Sequence, residues 1–269
     1  MSISDDSPNM ITWTPELVER FWTGVANTRL SEINSSRNCA DRLLELVAPH
    51  LNPVGRFLDY GAGDGDLVAA MVQKGYRTAA YEPNRSRSSK LPRAIIEHPN
   101  FLGVVSEHTR EPFDGVLMIE VIEHILDPQV NDVFQHVRSV LKRDGHLIVT
   151  TPFTEDLELN GAFCPSCHTH FHRWQHVRSF HPDTLNDFMS QQGFYCESQR
   201  VVDFSNNRHM VEELNVMNAE IDRLHAVIAQ SFCERIKRLF GGKTEHRKRY
   251  PRVSLLDLPT NIVYVGRLA

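Results

Sequence analysis

Short apolar runs alternate along the chain with stretches whose apolar positions recur every three to four residues, the pattern of strands alternating with amphipathic helices. The runs predict strands at about 56–60, 77–82, 101–105, 113–119 and 146–151, with two more at 194–204 and 261–268. Helical spacing marks 65–74, closed by Gly75, and 130–141, where Val133, Phe134, Val137, Val140 and Leu141 share a face. Gly145 sets the turn before the fifth strand, and a helix over 182–192 opens at Pro182-Asp183 and stops at Gly193. Upstream, residues 15–50 read as helices: Thr14-Pro15-Glu16 is a start signal, and Leu43, Leu44 and Val47 line one face. Strands that alternate with helices in this way predict a doubly wound, mostly parallel α/β sheet of seven strands.

The pattern also divides the chain. Residues 1–52 form a helical cap, 53–204 and 261–269 a core, and 205–260 an insertion between the last two strands. Within the insertion Leu214, Met217, Ile221, Leu224 and Ile228 make one apolar seam, suited to packing on its own domain or to a dimer contact. A basic block follows over 232–252, where eight Lys or Arg stand against Glu234 and Glu245. Such a block reads as a solvated loop or as a contact for phosphate or an anionic membrane surface. With the whole chain at −5, the remainder is acidic, which argues against a broad nucleic-acid face.

The densest chemical signal is Arg56-Phe-Leu-Asp-Tyr-Gly-Ala-Gly-Asp-Gly65, with Glu82-Pro83 at the end of the next strand. Glycine lets the chain turn sharply and brings backbone close to a ligand, and a carboxylate about 20 residues on can accept from ribose hydroxyls. A dinucleotide site would carry its third glycine at position 66, which is Asp66, so an NAD(P) oxidoreductase is disfavoured. Asp59-x-Gly61-x-Gly63-x-Gly65 resembles motif I of class I S-adenosylmethionine-dependent methyltransferases. Phe113–Pro128 and Leu141–Pro152 resemble the fourth-strand and fifth-strand regions of that family, in the same order. The resemblance implies that S-adenosylmethionine is held by Asp59, Tyr60, Gly61, Ala62, Gly63, Gly65, Glu82, Pro83 and Glu120.

At 269 residues, 41% hydrophobic and 23% charged, the chain can bury one large core. Its apolar runs are strand-sized and broken by charge, and Met-Ser-Ile-Ser-Asp-Asp-Ser-Pro lacks the features of a secretory signal. Five cysteines, two of them in a C-x-x-C, suit a reducing compartment, so a cytoplasmic location is expected.

Two further clusters carry chemistry. Glu120-Val-Ile-Glu-His124 puts two carboxylates and an imidazole on one turn, able to hold a divalent cation such as Zn or Mg or to supply a general base. Quinone-biosynthesis O-methyltransferases and small-RNA 2′-O-methyltransferases resemble the chain in this motif. They imply a metal set of Glu120, Glu123, His124 and a later histidine, here His176. Cys164 and Cys167 have zinc-knuckle spacing, and His170 and His172 would complete a Cys2His2 site. The alternative is a loop whose histidines, Arg173 and Trp174 shape an acceptor pocket. His124 and His176 are the candidate bases for a hydroxyl acceptor. The function expected is O-methylation of a small molecule or sugar. RNA 2′-O-methylation and a non-catalytic binding module of the same fold are the alternatives.

Overall fold

The computed structural model describes residues 9–32, 35–204, 223 and 260–269. The apolar seam and the basic block of the insertion lie outside the described residues. In chain order the elements are β1 (Asn9–Met10), α1 (Pro15–Ala26), α2 (Ser35–Val47), β2 (Arg56–Tyr60), α3 (Asp66–Gln73), β3 (Arg77–Tyr81), α4 (Arg85–Ser88), α5 (Arg93–Ile96), β4 (Phe101–Val104) and β5 (Phe113–Ile119). They continue with α6 (Val130–Val140), β6 (Leu141–Pro152), β7 (Gly161–Cys164), β8 (Thr169–His172), α7 (Pro182–Gln191), β9 (Phe194–Val202) and β10 (Asn261–Leu268).

Seven strands form one sheet in the order β4-β3-β2-β5-β6-β10-β9, parallel from β4 to β6, with β10 antiparallel to both β6 and β9. Side chains alternate between the two faces of a strand, and this alternation divides the core. Phe57, Leu117, Ile148 and Val263 pack with Leu43 and Leu44 of α2 and Leu67 and Met71 of α3. Leu58, Val116, Met118, Leu147, Val149 and Tyr264 pack with Phe134 and Val137 of α6 and Leu185 and Met189 of α7. With both faces covered, the central strands read as continuous apolar runs, which is why the sequence pattern located them.

Three features depart from the predicted elements. Leu141, expected to end a helix, begins β6: it pairs with Phe113, whereas Gly115 pairs with His146. Residues 142–145 bulge out between those pairs, and Lys142 Nζ returns to Asp114 Oδ1 at 2.8 Å. Second, β7 and β8 form an antiparallel hairpin over the Cys/His segment, and β1 adds to β8 in parallel. Third, α4 and α5 are single turns between β3 and β4. The start signal of α1 is as expected, with Pro15 in its first turn and Thr14 Oγ1 accepting from Leu17 N–H at 3.3 Å.

Candidate active site

The strand order reverses between β2 and β5, and in open α/β sheets the crevice outside the carboxyl ends of strands at such a point takes ligands. A cleft of about 340 Å³ lies there, lined by Gly61, Ala62 and Gly63 of the glycine loop, Glu120 and His124 after β5, and Glu155 and His176 beyond β6. Trp22 of α1 also lines it.

The loop is built as its glycines require. Gly61, Gly63 and Gly65 have φ of 86°, 55° and 87°, in the left-handed region where a Cβ is strained. A Cβ on Gly61 would also stand 2.6 Å from a Val121 methyl. Gly61 and Ala62 N–H both donate to the Tyr81 carbonyl, at 2.8 and 2.9 Å. Glu82 closes the loop from behind: Oε2 accepts from Gly63 N–H at 2.8 Å and Oε1 from Asn84 N–H at 2.9 Å. Arg87 lies over Gly63, its guanidinium 4.8 Å from the Trp22 ring centroid and its Nε 3.5 Å from Asp64 Oδ1.

Of the nine residues expected at the cofactor, Gly61, Ala62, Gly63 and Glu120 line the cleft. Asp59 lies beneath the loop, 2% exposed, with Oδ2 buried and without a hydrogen-bond partner. Gly65 caps α3, and Pro83 is exposed in the bend after β3. Tyr60 turns its side chain away: its hydroxyl meets His136 Nδ1 at 3.2 Å and its ring lies 4.5 Å from Tyr81.

Burial, then the neighbouring Glu82 charge, pushes the Asp59 carboxyl up to about 8. The unfolded chain therefore releases a proton that the folded chain keeps, and stability falls as pH rises from about 4 to about 8. Asp59→Asn, which mimics the protonated acid, should flatten that slope and raise the melting midpoint at pH 8 relative to wild type. Thermal melts across pH 4–8 check this; parallel slopes in the two proteins would refute it.

The expected four-ligand metal set does not come together whole. Ligand atoms of Glu123, His124 and His176 lie within 4.8 Å of one another. Glu120 is tied to the sheet instead, its Oε1 accepting from Thr150 Oγ1 at 2.6 Å and Asn261 Nδ2 at 3.1 Å. Its backbone is left-handed, φ 54°, and burial pushes its carboxyl up to about 7. Glu123 is 1% exposed and accepts from Thr151 at 3.2 Å through Oε2, leaving Oε1 unpartnered. The His124 ring meets Trp22 at 5.0 Å and His176 at 4.7 Å, both edge-on. Burial, reinforced by the nearby His176, holds its imidazole well below the ordinary range.

The Cys2His2 set is not assembled. In the hairpin Cys164 pairs with Thr169, whereas Phe163 pairs with His170 and Gly161 with His172. Alternation therefore puts Cys164 on the opposite face from His170 and His172. His172 is 5% exposed and bound to Glu155, and among the described residues no group of possible metal ligands includes a cysteine. The double variant Cys164→Ser/Cys167→Ser should keep its unfolding free energy within about 0.5 kcal/mol, as surface changes do. Denaturant titration with and without chelator measures it; a loss of several kcal/mol would reinstate structural zinc.

Several residues in or beside the cleft carry no motif. Gln175, fully buried at φ 64°, accepts from Trp22 Nε1 at 3.0 Å and donates to the His124 carbonyl at 3.0 Å. It thereby fastens α1 to the Glu-x-x-Glu-His turn. Glu155 binds two histidines, and Asn261 reaches Glu120 from the start of β10. Their only signal in the sequence is position: shortly after a strand, or at the start of one.

Comparison with known proteins agrees with this geometry. A family model described as "Methyltransferase domain" matches residues 31–199. The bovine mitochondrial ubiquinone biosynthesis O-methyltransferase is 30% identical over 125 residues, 41% of this chain and 33% of that protein. An uncharacterized methyltransferase of Staphylococcus carnosus is 24% identical over 115 residues, 42% of this chain and 53% of that protein. The match thus spans a third to about half of these relatives' length. Among solved structures, Burkholderia thailandensis 1,6-didemethyltoxoflavin-N1-methyltransferase, bound to S-adenosylhomocysteine, superposes with TM-score 0.58 at 13% identity, over 97% of this chain and 93% of that one. The glycopeptide N-methyltransferase MtfA gives 0.53 at 11%, over 86% and 90%. The chain belongs to the methyltransferase-domain family and has the fold of the S-adenosylmethionine-dependent methyltransferases.

Proposed function

We propose that the chain transfers the methyl group of S-adenosylmethionine to a hydroxyl of a small-molecule or sugar acceptor. The observation that carries this reading is the pair of imidazoles lining the cleft, His124 and His176, whose affinity for protons burial lowers. Both are then neutral near pH 7 and able to accept a proton.

The residues present fit the cofactor. Glycines with left-handed φ bring the loop backbone to the cleft, Glu82 keeps lone pairs for ribose hydroxyls, and the unpartnered Asp59 Oδ2 offers an acceptor under the loop. The bound cofactor supplies an activated methyl on a cationic sulfur. It would give that methyl carbon to the acceptor oxygen and keep the carbon–sulfur electron pair on sulfur, leaving the chain's own residues to orient the acceptor and take its proton. The acceptor's proton passes to a histidine and from there to water. Holding the two reactants in line supplies roughly 7–11 kcal/mol of the barrier reduction, and a placed base about 100- to 10,000-fold in rate.

Nitrogen is the second acceptor reading, since two of the structurally similar enzymes are named N-methyltransferases. Calorimetric titration with S-adenosylmethionine and, in parallel, NADH tests the cofactor, together with metal analysis and methyl transfer before and after chelation. Micromolar binding of the first alone, with transfer to hydroxyl acceptors that survives chelation, is the expected result. Loss of transfer on chelation would assign Glu123, His124 and His176 to a cation instead. Binding of neither cofactor by folded protein would leave a non-catalytic module.

A further inference from the structure

Glu155, which neither the motifs nor the family comparison singles out, stands between His172 and His176. Its Oε1 lies 3.1 Å from His172 Nε2, and its Oε2 is hydrogen-bonded to His176 Nδ1. The two imidazoles stack on each other, centroids 4.2 Å apart and planes inclined by 22°. All three side chains are enclosed, at 13%, 3% and 8% exposure for Glu155, His172 and His176.

The hydrogen positions follow from the partners. His172 Nδ1 accepts from the backbone N–H of Trp174 at 3.3 Å and of His176 at 3.1 Å, so its one proton is on Nε2 and is donated to Glu155. Burial opposes ionisation of Glu155, yet the bonds from His172 and His176 outweigh it and hold the carboxyl down to about 2. An ionised carboxylate only accepts, so His176 Nδ1 carries the proton of the second bond. His176 Nε2 is then the nitrogen with a free lone pair, on a ring that lines the cleft.

The backbone points to the same two residues. Thr154 and Gln175, the residues immediately before Glu155 and His176, are two of the four non-glycine residues with left-handed φ among those described, at 49° and 64°. Such conformations persist where the surroundings over-determine them, and they gather at functional sites. Here Thr154 N–H is held by the Phe180 carbonyl at 2.8 Å, and Gln175 by Trp22 and the His124 carbonyl.

We propose that Glu155 is a positioning residue: clamped on one side by His172, its carboxylate fixes His176 as the Nδ1–H tautomer and leaves Nε2 as the proton-accepting nitrogen in the cleft. Glu155 touches no reacting atom in this arrangement and acts through His176. The inference rests on His176 serving as the base, but its test does not need the acceptor.

Long-range ¹⁵N–¹H correlation spectra of the ¹⁵N-histidine-labelled full chain read the tautomer directly, with His176 assigned from the signal lost in His176→Gln. The expected result at pH 7 is a protonated-type shift at Nδ1 and an unprotonated-type shift at Nε2. Glu155→Leu, lacking the acceptor, should lose this fixed pattern, and Glu155→Gln, which keeps an accepting oxygen, should retain it. A wild-type His176 protonated at Nε2, alone or at both nitrogens, overturns the proposal even if a variant misfolds. So does an unchanged pattern in folded Glu155→Leu. Failure of the cofactor to bind would instead strike the methyltransferase site, and the tautomer would still be read.

Discussion

Glu82→Ala is expected to weaken S-adenosylmethionine binding by at least about 100-fold, a loss of about 2.7 kcal/mol or more, while the chain stays folded. The carboxylate has two duties in one place. It accepts from Gly63 N–H and Asn84 N–H, which sets the loop between β2 and α3 against the start of α4. On the proposed function its remaining lone pairs would accept from the ribose hydroxyls. Hydrogen bonds to charged groups are worth about 1.5–3 kcal/mol each, so losing the ribose contacts and loosening the loop exceeds the stated figure. Glu82→Gln, which keeps one accepting oxygen, should fall between alanine and wild type. Calorimetry decides the matter: an alanine variant that binds within threefold of wild type would remove Glu82 from the cofactor site.

The glycine loop and the acid behind it are legible in the sequence because the arrangement is local. Asp59 to Gly65 runs from the end of β2 through the loop before α3, and Glu82 directly follows β3, the neighbouring strand, so a fixed spacing carries the whole arrangement. The core strands were equally legible, since burial of both faces leaves apolar runs such as Val116–Ile119 that no helix pattern imitates. Two boundaries were not. Leu141 continues the helical spacing of Phe134 and Val137, and only its pairing with Phe113 across the sheet makes it a strand residue. The hairpin of β7 and β8 has almost no apolar alternation, because Cys164, Thr169, His170 and His172 occupy it, and the Cys-x-x-Cys spacing suggested a metal instead. Glu155 was hidden for a different reason. Its partners are 17 and 21 residues away, brought back by the hairpin, and no spacing rule encodes such a return. Gln175 was hidden likewise, since its bond to Trp22 joins residues 153 positions apart.

Removing His176 should separate binding from chemistry. His176→Ala is expected to lower the single-turnover rate of methyl transfer to a hydroxyl acceptor by about 100- to 10,000-fold, with S-adenosylmethionine affinity changed by less than about threefold. His176 is the stronger of the two imidazole candidates on geometry. A carboxylate anchors its Nδ1, whereas His124 Nδ1 is buried without a partner and its ring is wedged between Trp22 and His176. The Glu155 carboxylate would also stabilise the imidazolium formed when His176 takes the proton, which an unpaired His124 lacks. His124→Ala should therefore cost less in rate, chiefly through looser packing of Trp22 and His176. Labelled-methyl transfer to a panel of phenols, quinols, sugars and amines measures both variants. An amine that attacks in its neutral form needs no base, so a His176→Ala enzyme that keeps its full rate, with an amine as its best acceptor, would replace oxygen by nitrogen as the atom methylated. A hydroxyl acceptor with an unchanged rate would take the proton-accepting role from His176 altogether.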